Sequence, residues 1–314
     1  MKVKLWGVRG SLATPLTNNE YQIRINDILE RFSSNSKSIP EFIENLPNDL
    51  KYIYGGNTTC ITVTSEKGNT YIVDAGTGIR PLGDELINNP NNRGNGVFNI
   101  FITHTHWDHI QGLPFFKPIY IPGNKLNFYS PIPDLHERFI YQQKFKFFPK
   151  EFDETLSAKE FHLLKLGGTT TFDDGMIIEY YPLYHPGASF AYKFTENGKS
   201  FIFATDVEIT GLHIEQKNDN MNKFFHDTSL LVIDSQYTLD EAFYKFDWGH
   251  TSYTMAVNCG IKWNISKLVL THHEPSYTDK KLTEIFCDAV HHRDIMESTK
   301  PEIFFATEGT VFDV

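Results

Sequence analysis

The sequence predicts an α/β protein in which two β-rich halves pack face to face, with helices on the outside. Short apolar runs of strand type recur along the whole chain, in two batches before and after about residue 165. Amphipathic helical patterns occur in both batches, and no Pro-, Ser- or Gly-rich linker separates them. We therefore expect a four-layer αββα sandwich and a single domain over residues 1–314.

The strand predictions rest on runs of β-branched, aromatic and aliphatic residues bounded by turn residues. The predicted strands are Leu5–Val8, Ile61–Ser65, Tyr71–Asp74, Phe98–Thr103, Leu126–Ser130, Met176–Pro182, Phe190–Phe194, Phe201–Ala204, Leu230–Asp234, Leu268–Thr271 and Ile303–Ala306.

Three helices are predicted from apolar residues that recur with a period of 3.6. The first has Tyr21, Ile25, Ile28, Leu29 and Phe32 on one face, the second covers Ser252 to Lys262, and the third runs from Thr278-Asp279 to Met296. The first helix belongs to segment 16–52, a mostly helical insertion into the first strands. This insertion is either a surface elaboration or dimer contact, or a substrate lid.

Composition restricts the class of protein. The 314 residues are 40% hydrophobic and 22% charged, which is typical of a soluble globular chain. No apolar run is long enough to cross a membrane and no signal sequence precedes the first strand, so we expect a cytoplasmic protein. The three cysteines are widely spaced, which argues against a disulfide framework or a thiolate zinc site. A net charge of −10 makes a large nucleic acid an unexpected partner.

The segment His104-Thr-His106-Trp-Asp108-His109 follows a predicted strand and places four ligand-type side chains within six residues. In an extended chain His104 and His106 lie on one face, and a turn after them can carry Asp108 and His109 to a second position nearby. Core histidines often only form hydrogen bonds, but four such residues at this spacing favour a metal site.

Four more candidates lie at the ends of later predicted strands or in adjoining loops, where side chains can converge on one pocket. They are His185, Asp206, His250 and His272. Two divalent ions within about 4 Å of each other need a bridging anion, and the strand-end carboxylate of Asp206 is placed to supply one.

These residues resemble the metallo-β-lactamase fold superfamily over nearly the whole chain. Further motifs resemble its phosphodiesterase branch, which includes tRNA-processing ribonuclease Z and enzymes that open cyclic nucleotides. The motifs are Gly7-Val-Arg-Gly-Ser11, Tyr54-Gly-Gly-Asn-Thr-Thr-Cys60, Val73-Asp-Ala-Gly-Thr-Gly78, Thr205-Asp-Val-Glu208, Trp248-Gly-His-Thr251 and Thr271-His-His-Glu-Pro275.

The resemblance implies two metal sites that share Asp206. One ion would be held by His104, His106, His185 and Asp206, and the other by Asp108, His109, His272 and Asp206. His250 would be a catalytic histidine that contacts the scissile phosphate without binding metal, and Glu208 would orient it. Because all ligands are nitrogen or oxygen, zinc is expected, with manganese or iron as alternatives.

We expect a metal-dependent hydrolase in which a metal-bridging hydroxide attacks a small phosphodiester, with a cyclic nucleotide as the favoured substrate. A tRNA 3′-processing endoribonuclease is the first alternative, although the chain has no long Gly-rich basic arm. A lactonase or thioesterase of the same fold is the second, although such enzymes usually lack the Gly-His-Thr histidine.

Other residues suggest secondary roles. Asp74 is expected beside the metals, where it would hold a ligand or a glycine turn. Arg9 and Ser11 are candidates for contact with a substrate phosphate. The aromatic- and lysine-rich segment 139–152 is suited either to stacking a base or to forming a pocket wall or a homodimer surface.

Overall fold

The computed structural model describes residues 1–34, 38–165, 167–210 and 219–314. Within them are two seven-stranded sheets, packed face to face with helices on both outer surfaces, so the predicted four-layer sandwich is confirmed. In chain order the strands are β1 (Lys2–Gly7), β2 (Cys60–Thr64), β3 (Thr70–Val73), β4 (Val97–Phe101), β5 (Lys125–Ser130), β6 (Ala158–Leu163), β7 (Thr170–Thr171), β8 (Ile177–Leu183), β9 (Ser189–Glu196), β10 (Lys199–Ala204), β11 (Leu230–Asp234), β12 (Lys267–Thr271), β13 (Glu302–Phe305) and β14 (Val311–Asp313).

Helices connect or follow these strands. They are α1 (Asn18–Ser33), α2 (Ile39–Glu44), α3 (Asn48–Lys51), α4 (Ile79–Leu86), α5 (Trp107–Ile110), α6 (Leu135–Gln142), α7 (Asp219–Phe225), α8 (Leu239–Tyr244), α9 (Tyr253–Lys262) and α10 (Asp279–Ile295). Short 3₁₀ turns cover Pro90–Asn92, Leu113–Phe115, Lys117–Tyr120 and Phe152–Glu154. None of the helices in these described parts of the chain is long and apolar enough to span a bilayer.

The strands divide between the sheets close to the predicted point. The first sheet has the order β14-β1-β2-β3-β4-β5-β6, and the second β13-β12-β11-β10-β9-β8-β7. Among the described strands, only β14 returns from the end of the chain to the first sheet, where it pairs with β1. The sequence patterns missed β6, β7 and β14, which lie at or near sheet edges and are short or partly exposed, so they lack a continuous apolar run.

Large aromatic side chains fill the space between the sheets. Phe101, Tyr192, Phe194 and Phe201 are fully buried there, and burial of each such side chain stabilises the fold by about 1.5–3 kcal/mol. The Tyr192 hydroxyl donates to the carbonyl oxygen of Ile102 at 2.8 Å. This bond ties the second sheet to the chain just before His104.

Parallel pairing sets the position of the functional residues. In the first sheet β3, β4, β5 and β6 run parallel, and in the second β10, β11, β12 and β13 do. The carboxyl ends of parallel strands meet at one edge, which is where open α/β sheets bind their ligands. The residues that follow β4, β10 and β12 therefore come together where the two sheets face each other.

The insertion between β1 and β2 contains α1, α2 and α3. Its small apolar cluster joins Ile28 and Phe32 of α1 to Phe42, Leu46 and Leu50. Tyr21 and Leu29, which were predicted on the apolar face of α1, are exposed because only part of that face meets the rest of the chain. The Arg24 guanidinium binds the Asp279 carboxylate at the start of α10 and donates to the Tyr52 carbonyl oxygen at 2.7 Å.

We expect Arg24→Ala to lower the free energy of unfolding by about 1–3 kcal/mol, because it removes hydrogen bonds to and from charged groups that are mostly buried. Urea denaturation would measure the change, and limited proteolysis should show faster cleavage within residues 17–52. Arg31→Ala, at an exposed position of the same helix, is the matched control and should change neither result. Equal free energies of unfolding for the two variants would contradict a role for Arg24 in holding the insertion against α10.

Candidate metal centre and active site

The first group of candidate ligands comes from both sheets. His104 and His106 follow β4, His185 follows β8 and Asp206 follows β10. Nδ1 of His106 lies 3.0 Å from Nε2 of His185, and Oδ1 of Asp206 lies 3.7 Å from Nε2 of both His104 and His185. His104, His185 and Asp206 are buried, whereas His106 is exposed at the mouth of the site.

The second group meets the other oxygen of the same carboxylate. Oδ2 of Asp206 lies 2.9 Å from Nε2 of His109 and 3.1 Å from Nε2 of His272. Oδ2 of Asp108 lies 3.3 Å and 3.1 Å from the same two nitrogens, and it also accepts the Ser11 backbone N–H at 2.8 Å. Asp206 thus faces one group with each oxygen, as a bridging ligand would.

The rings of three of these histidines are oriented through their other nitrogen. Nδ1 of His109 donates to Asp74 at 2.7 Å, and Nδ1 of His185 donates to the Gly249 carbonyl oxygen at 2.9 Å. The Thr103 hydroxyl donates to Asp74 and can therefore accept from Nδ1 of His104 at 3.1 Å. Each ring is held with Nε2 directed into the group of candidate ligands, the arrangement that supports metal-binding histidines.

Backbone conformation at the strand ends aims these side chains. Asp74, Asp206 and His272 have φ values of 60°, 57° and 66°, in the left-handed region. This conformation is uncommon for residues other than glycine and costs free energy, although Asp and His adopt it more readily than most. Three such turns at one edge redirect the chain sharply after each strand, so that each side chain points into the site.

Electrostatics divide the histidines into two sets. Burial lowers the pKa of His109 and His272, but Asp206 and the neighbouring carboxylates raise it more strongly, so the pKa of His272 is about 9 and that of His109 lies well above its usual value. Burial keeps the pKa of His104, His106 and His185 below the usual value. The carboxylates therefore draw positive charge to one side of the site, and neutral imidazoles lie on the other.

These residues fit a pair of divalent ions. The Nε2 atoms of His104 and His109 are buried without a hydrogen-bond partner, and both face the carboxylate of Asp206. Neutral imidazole lone pairs and carboxylate oxygens are suitable ligands for zinc, manganese and iron. Without cations, the buried carboxylates favour protonation of His109 and His272. Bound metal ions would supply this positive charge instead.

His250 lies beside both groups. Its ring is 5.0 Å from that of His272 and 5.3 Å from that of His185, between ring centroids. Nδ1 of His250 donates to Oδ2 of Asp234 at 2.8 Å. Asp234 is fully buried at the end of β11 and also accepts the backbone N–H groups of Asp206 and Thr251, both at 3.1 Å.

Glu208 was expected to orient the His250 imidazole, and in the structure its carboxylate forms no hydrogen bond with that ring. Its carboxylate accepts the backbone N–H of Gly249 at 2.9 Å and that of Asp247 at 3.2 Å. It therefore holds the loop that carries His250. Gly249 has a φ of +86°, and a Cβ there would lie 2.1 Å from Nδ1 of His185, so the loop requires glycine.

One further expectation differs from the structure, and one residue of the site was not anticipated. Arg9 is buried and donates to the carbonyl oxygens of Gly55, Glu274 and Tyr277, so its guanidinium stabilises loops and does not face the site. Asp234 was not predicted as a functional residue. It ends a strand as Asp74 does, and that strand-end position was the signal that could have identified it.

An open cavity of about 530 Å³ begins at His250 and has α8 as one wall. The aromatic segment 139–152 begins beside the segment that carries the first candidate ligands, since Tyr141 and Gln142 line a second cavity with Thr105 and Trp107. It exposes the rings of Phe145 and Phe147, as both a base-stacking surface and a dimer contact would require.

Comparisons with known proteins agree with this architecture. A family model described as a β-lactamase superfamily domain matches residues 69–273. Ribonuclease Z from Prochlorococcus marinus is 24% identical over 248 residues, which cover 58% of this chain and 72% of that protein. Zn²⁺-bound PqqB from Methylobacterium extorquens superposes with a TM-score of 0.66 and 11% identity, over 100% of both chains. Unliganded yeast PDE1 superposes with a TM-score of 0.62 and 14% identity, over 100% of this chain and 99% of that one.

The two structural similarities, at such low identity, concern the fold alone, whereas the family model covers more than half of the sequence. It also covers the ends of β4, β10 and β12, where the candidate ligands lie. The chain belongs to the metallo-β-lactamase superfamily of metal-dependent hydrolases.

Proposed function

We propose that the protein is a dinuclear metal-dependent phosphodiesterase that hydrolyses a small phosphodiester, with a cyclic nucleotide as the favoured substrate. The observation that carries this proposal is the His250–Asp234 pair, which lies beside the two ligand groups. With Nδ1–H donated to Asp234, Nε2 is the nitrogen of His250 left to face a substrate. A histidine in this position suits a reaction that must protonate a leaving oxygen.

We assign His104, His106, His185 and Asp206 to one ion, and Asp108, His109, His272 and Asp206 to the other. Two divalent ions bound there would lower the pKa of a water between them toward neutrality and would neutralise charge on the phosphoryl oxygens. Zinc is the ion we favour, since the ligands are imidazoles and carboxylates and a Zn²⁺-bound protein shares the fold. Manganese and iron would suit the same ligands.

The roles of the remaining residues follow from their contacts. Nε2 of His250 would donate a proton to the leaving oxygen or stabilise charge on the phosphoryl group, a contribution typically of about 10²–10⁴-fold. Asp234 would fix the tautomer and direction of that ring, and so acts as a positioning residue. Glu208 would position His250 less directly, because it holds the loop through the backbone N–H groups of Asp247 and Gly249.

A tRNA 3′-processing endoribonuclease is the second candidate, favoured by the similarity to ribonuclease Z. Two observations favour a small substrate over tRNA. The chain carries a net charge of −10, which repels a polyanion. Among the described residues that line the cavity beside His250, none is lysine or arginine.

Replacement of the shared ligand tests the metal assignment. Asp206→Ala removes the carboxylate that faces both groups, so we expect less than one ion per chain where the natural protein holds two, and loss of turnover. Plasma mass spectrometry after dialysis would measure the metal content. Asp153→Ala removes an exposed carboxylate that binds His136, and should leave two ions. Two ions retained by Asp206→Ala would show that Asp206 is not a shared ligand.

Replacement of His250 separates proton donation from metal binding. We expect His250→Ala to keep both ions and to lower kcat about 10²–10⁴-fold, because only the proton donor is lost. If Asp234 acts through this ring, then Asp234→Asn should lower kcat less in the His250→Ala background than in the natural protein, and the loss that remains would reflect its bond to the backbone N–H of Asp206. Loss of metal from His250→Ala would instead identify His250 as a ligand.

A substrate panel tests the reaction itself. We expect turnover of bis(p-nitrophenyl) phosphate and of cyclic nucleotides, no cleavage of precursor tRNA, and complete loss of activity after metal removal with EDTA. Re-addition of Zn²⁺ or Mn²⁺ should restore activity and would indicate which metal supports it. Cleavage of precursor tRNA in preference to cyclic nucleotides would favour the second candidate, and activity on a lactone but on no phosphodiester would contradict both.

A further inference from the structure

The cavity beside His250 offers a place for the part of the substrate that does not react. Its volume of about 530 Å³ falls within the roughly 300–1,000 Å³ typical of small-molecule sites. His250 and Ser252 lie on its wall, and Leu239, Ala242, Phe243 and Phe246 come from α8 and the loop that follows. A group bound here would therefore remain within reach of the residue that we assign to proton donation.

Two aromatic side chains of this cavity are exposed to solvent. Phe243 is 83% exposed and Phe246 is 61% exposed. Large apolar rings left uncovered next to a cleft are typical of ligand-binding surfaces, because a ligand regains the burial that the fold does not provide. A flat ring that packs against Phe243 and Phe246 would bury both of them.

The charge of the lining determines which part of a phosphodiester can bind in the cavity. Glu208 is the one charged residue among the described residues that line the cavity, and its carboxylate accepts backbone N–H groups of the neighbouring loop. Apart from His250, the described lining offers a phosphate no side chain that would carry a compensating positive charge. The cavity therefore suits an uncharged group, while the phosphate stays at the ligand groups and His250.

The polar lining is engaged in holding the structure. The Ser252 hydroxyl accepts the Met255 backbone N–H at 3.2 Å, which caps the start of α9. Glu208, Ser252 and Thr210 each already have an interaction within the chain, so the described lining offers few free groups to read the edge of a base by hydrogen bonds. Recognition by ring stacking, which tolerates different bases, fits this lining better.

We propose that the cavity binds an uncharged aromatic group of the substrate, stacked on Phe243 and Phe246, so that the enzyme selects phosphodiesters that carry such a ring and discriminates weakly between bases. This inference rests on the proposed phosphodiesterase function and adds the determinants of its specificity. A nucleobase and a nitrophenyl group share the relevant chemistry.

The test compares substrates with and without a ring on Phe243→Ala and Phe246→Ala. For each variant we expect kcat/KM for cyclic AMP and cyclic CMP to fall about 10- to 100-fold. The fall for ethylene phosphate, a cyclic diester without an aromatic group, should be at least ten times smaller. Phe243→Leu keeps an apolar side chain without a ring, and should behave like Phe243→Ala if stacking matters.

Tyr244→Ala is the matched control, since Tyr244 is 91% exposed on the same helix and is not part of the cavity lining. It should leave all activities as in the natural protein. Circular dichroism and metal content would show that each variant folds and binds its ions. The same variants are also assayed with bis(p-nitrophenyl) phosphate. If kcat/KM falls for this substrate alone, the cavity binds an aryl group and not a nucleobase.

The outcomes separate this inference from the proposed function. If the natural protein hydrolyses no phosphodiester, the proposed function fails. If it hydrolyses both kinds of substrate, but the two phenylalanine variants lower kcat/KM equally for both kinds or for neither, then the proposed ring-binding cavity is wrong. The proposed phosphodiesterase activity would still stand. A difference of more than 100-fold between cyclic AMP and cyclic CMP in the natural protein would also overturn recognition by stacking alone.

Discussion

Asp206 is the residue on which the rest of the site depends, because its two oxygens face the two groups of candidate ligands. Together with Asp74, Asp108 and Asp234 it forms a cluster of buried carboxylates. Such a cluster is unfavourable unless hydrogen bonds and positive charge compensate it. The structure supplies backbone N–H donors from Ser11, Thr103 and Thr251, and it supplies imidazoles, two of which have a raised pKa. Divalent ions would complete this compensation.

The fold brings these residues together through two similar halves. In each sheet a set of parallel strands ends at the edge where the site lies, and in each sheet an acidic residue that follows a strand adopts a left-handed conformation. The halves are joined across the sandwich by buried aromatic packing and by the bond from Tyr192 to the Ile102 carbonyl oxygen. Because His104 follows Ile102 so closely, packing of the two sheets also fixes the relative position of ligands from both.

Much of this arrangement was predictable from the sequence. The paired imidazoles of His104 and His106, and the turn that carries Asp108 and His109 away from them, follow from local geometry alone. Strand-end positions indicated Asp206 and His272. These predictions depend either on residues that are close in sequence or on the rule that parallel strands end at one edge of a sheet. Both kinds of information can be read from the sequence alone.

The sequence did not reveal contacts between segments that are far apart along the chain. Glu208 and Asp234 are both acidic and both follow strands of the second sheet, and the sequence does not show which of them reaches the His250 ring. The choice depends on the path of the loop over residues 247–250, which Glu208 holds by its backbone. Arg9 was a candidate phosphate ligand from its residue type, but carbonyl oxygens of three remote residues bind its guanidinium. The cavity is likewise formed by residues from separate loops and helices.

Asp234 connects the two functions of the site. Oδ2 of Asp234 accepts both from Nδ1 of His250 and from the backbone N–H of Asp206. The residue that we assign to proton donation and the residue that we assign to both metals are therefore positioned by one oxygen atom at the end of β11. A shift of this strand end would therefore move both residues together. The loop that carries His250 also supplies the carbonyl oxygen that orients His185, which links this candidate ligand to the same framework. The substrate specificity that we propose depends instead on α8 and the exposed rings beside it.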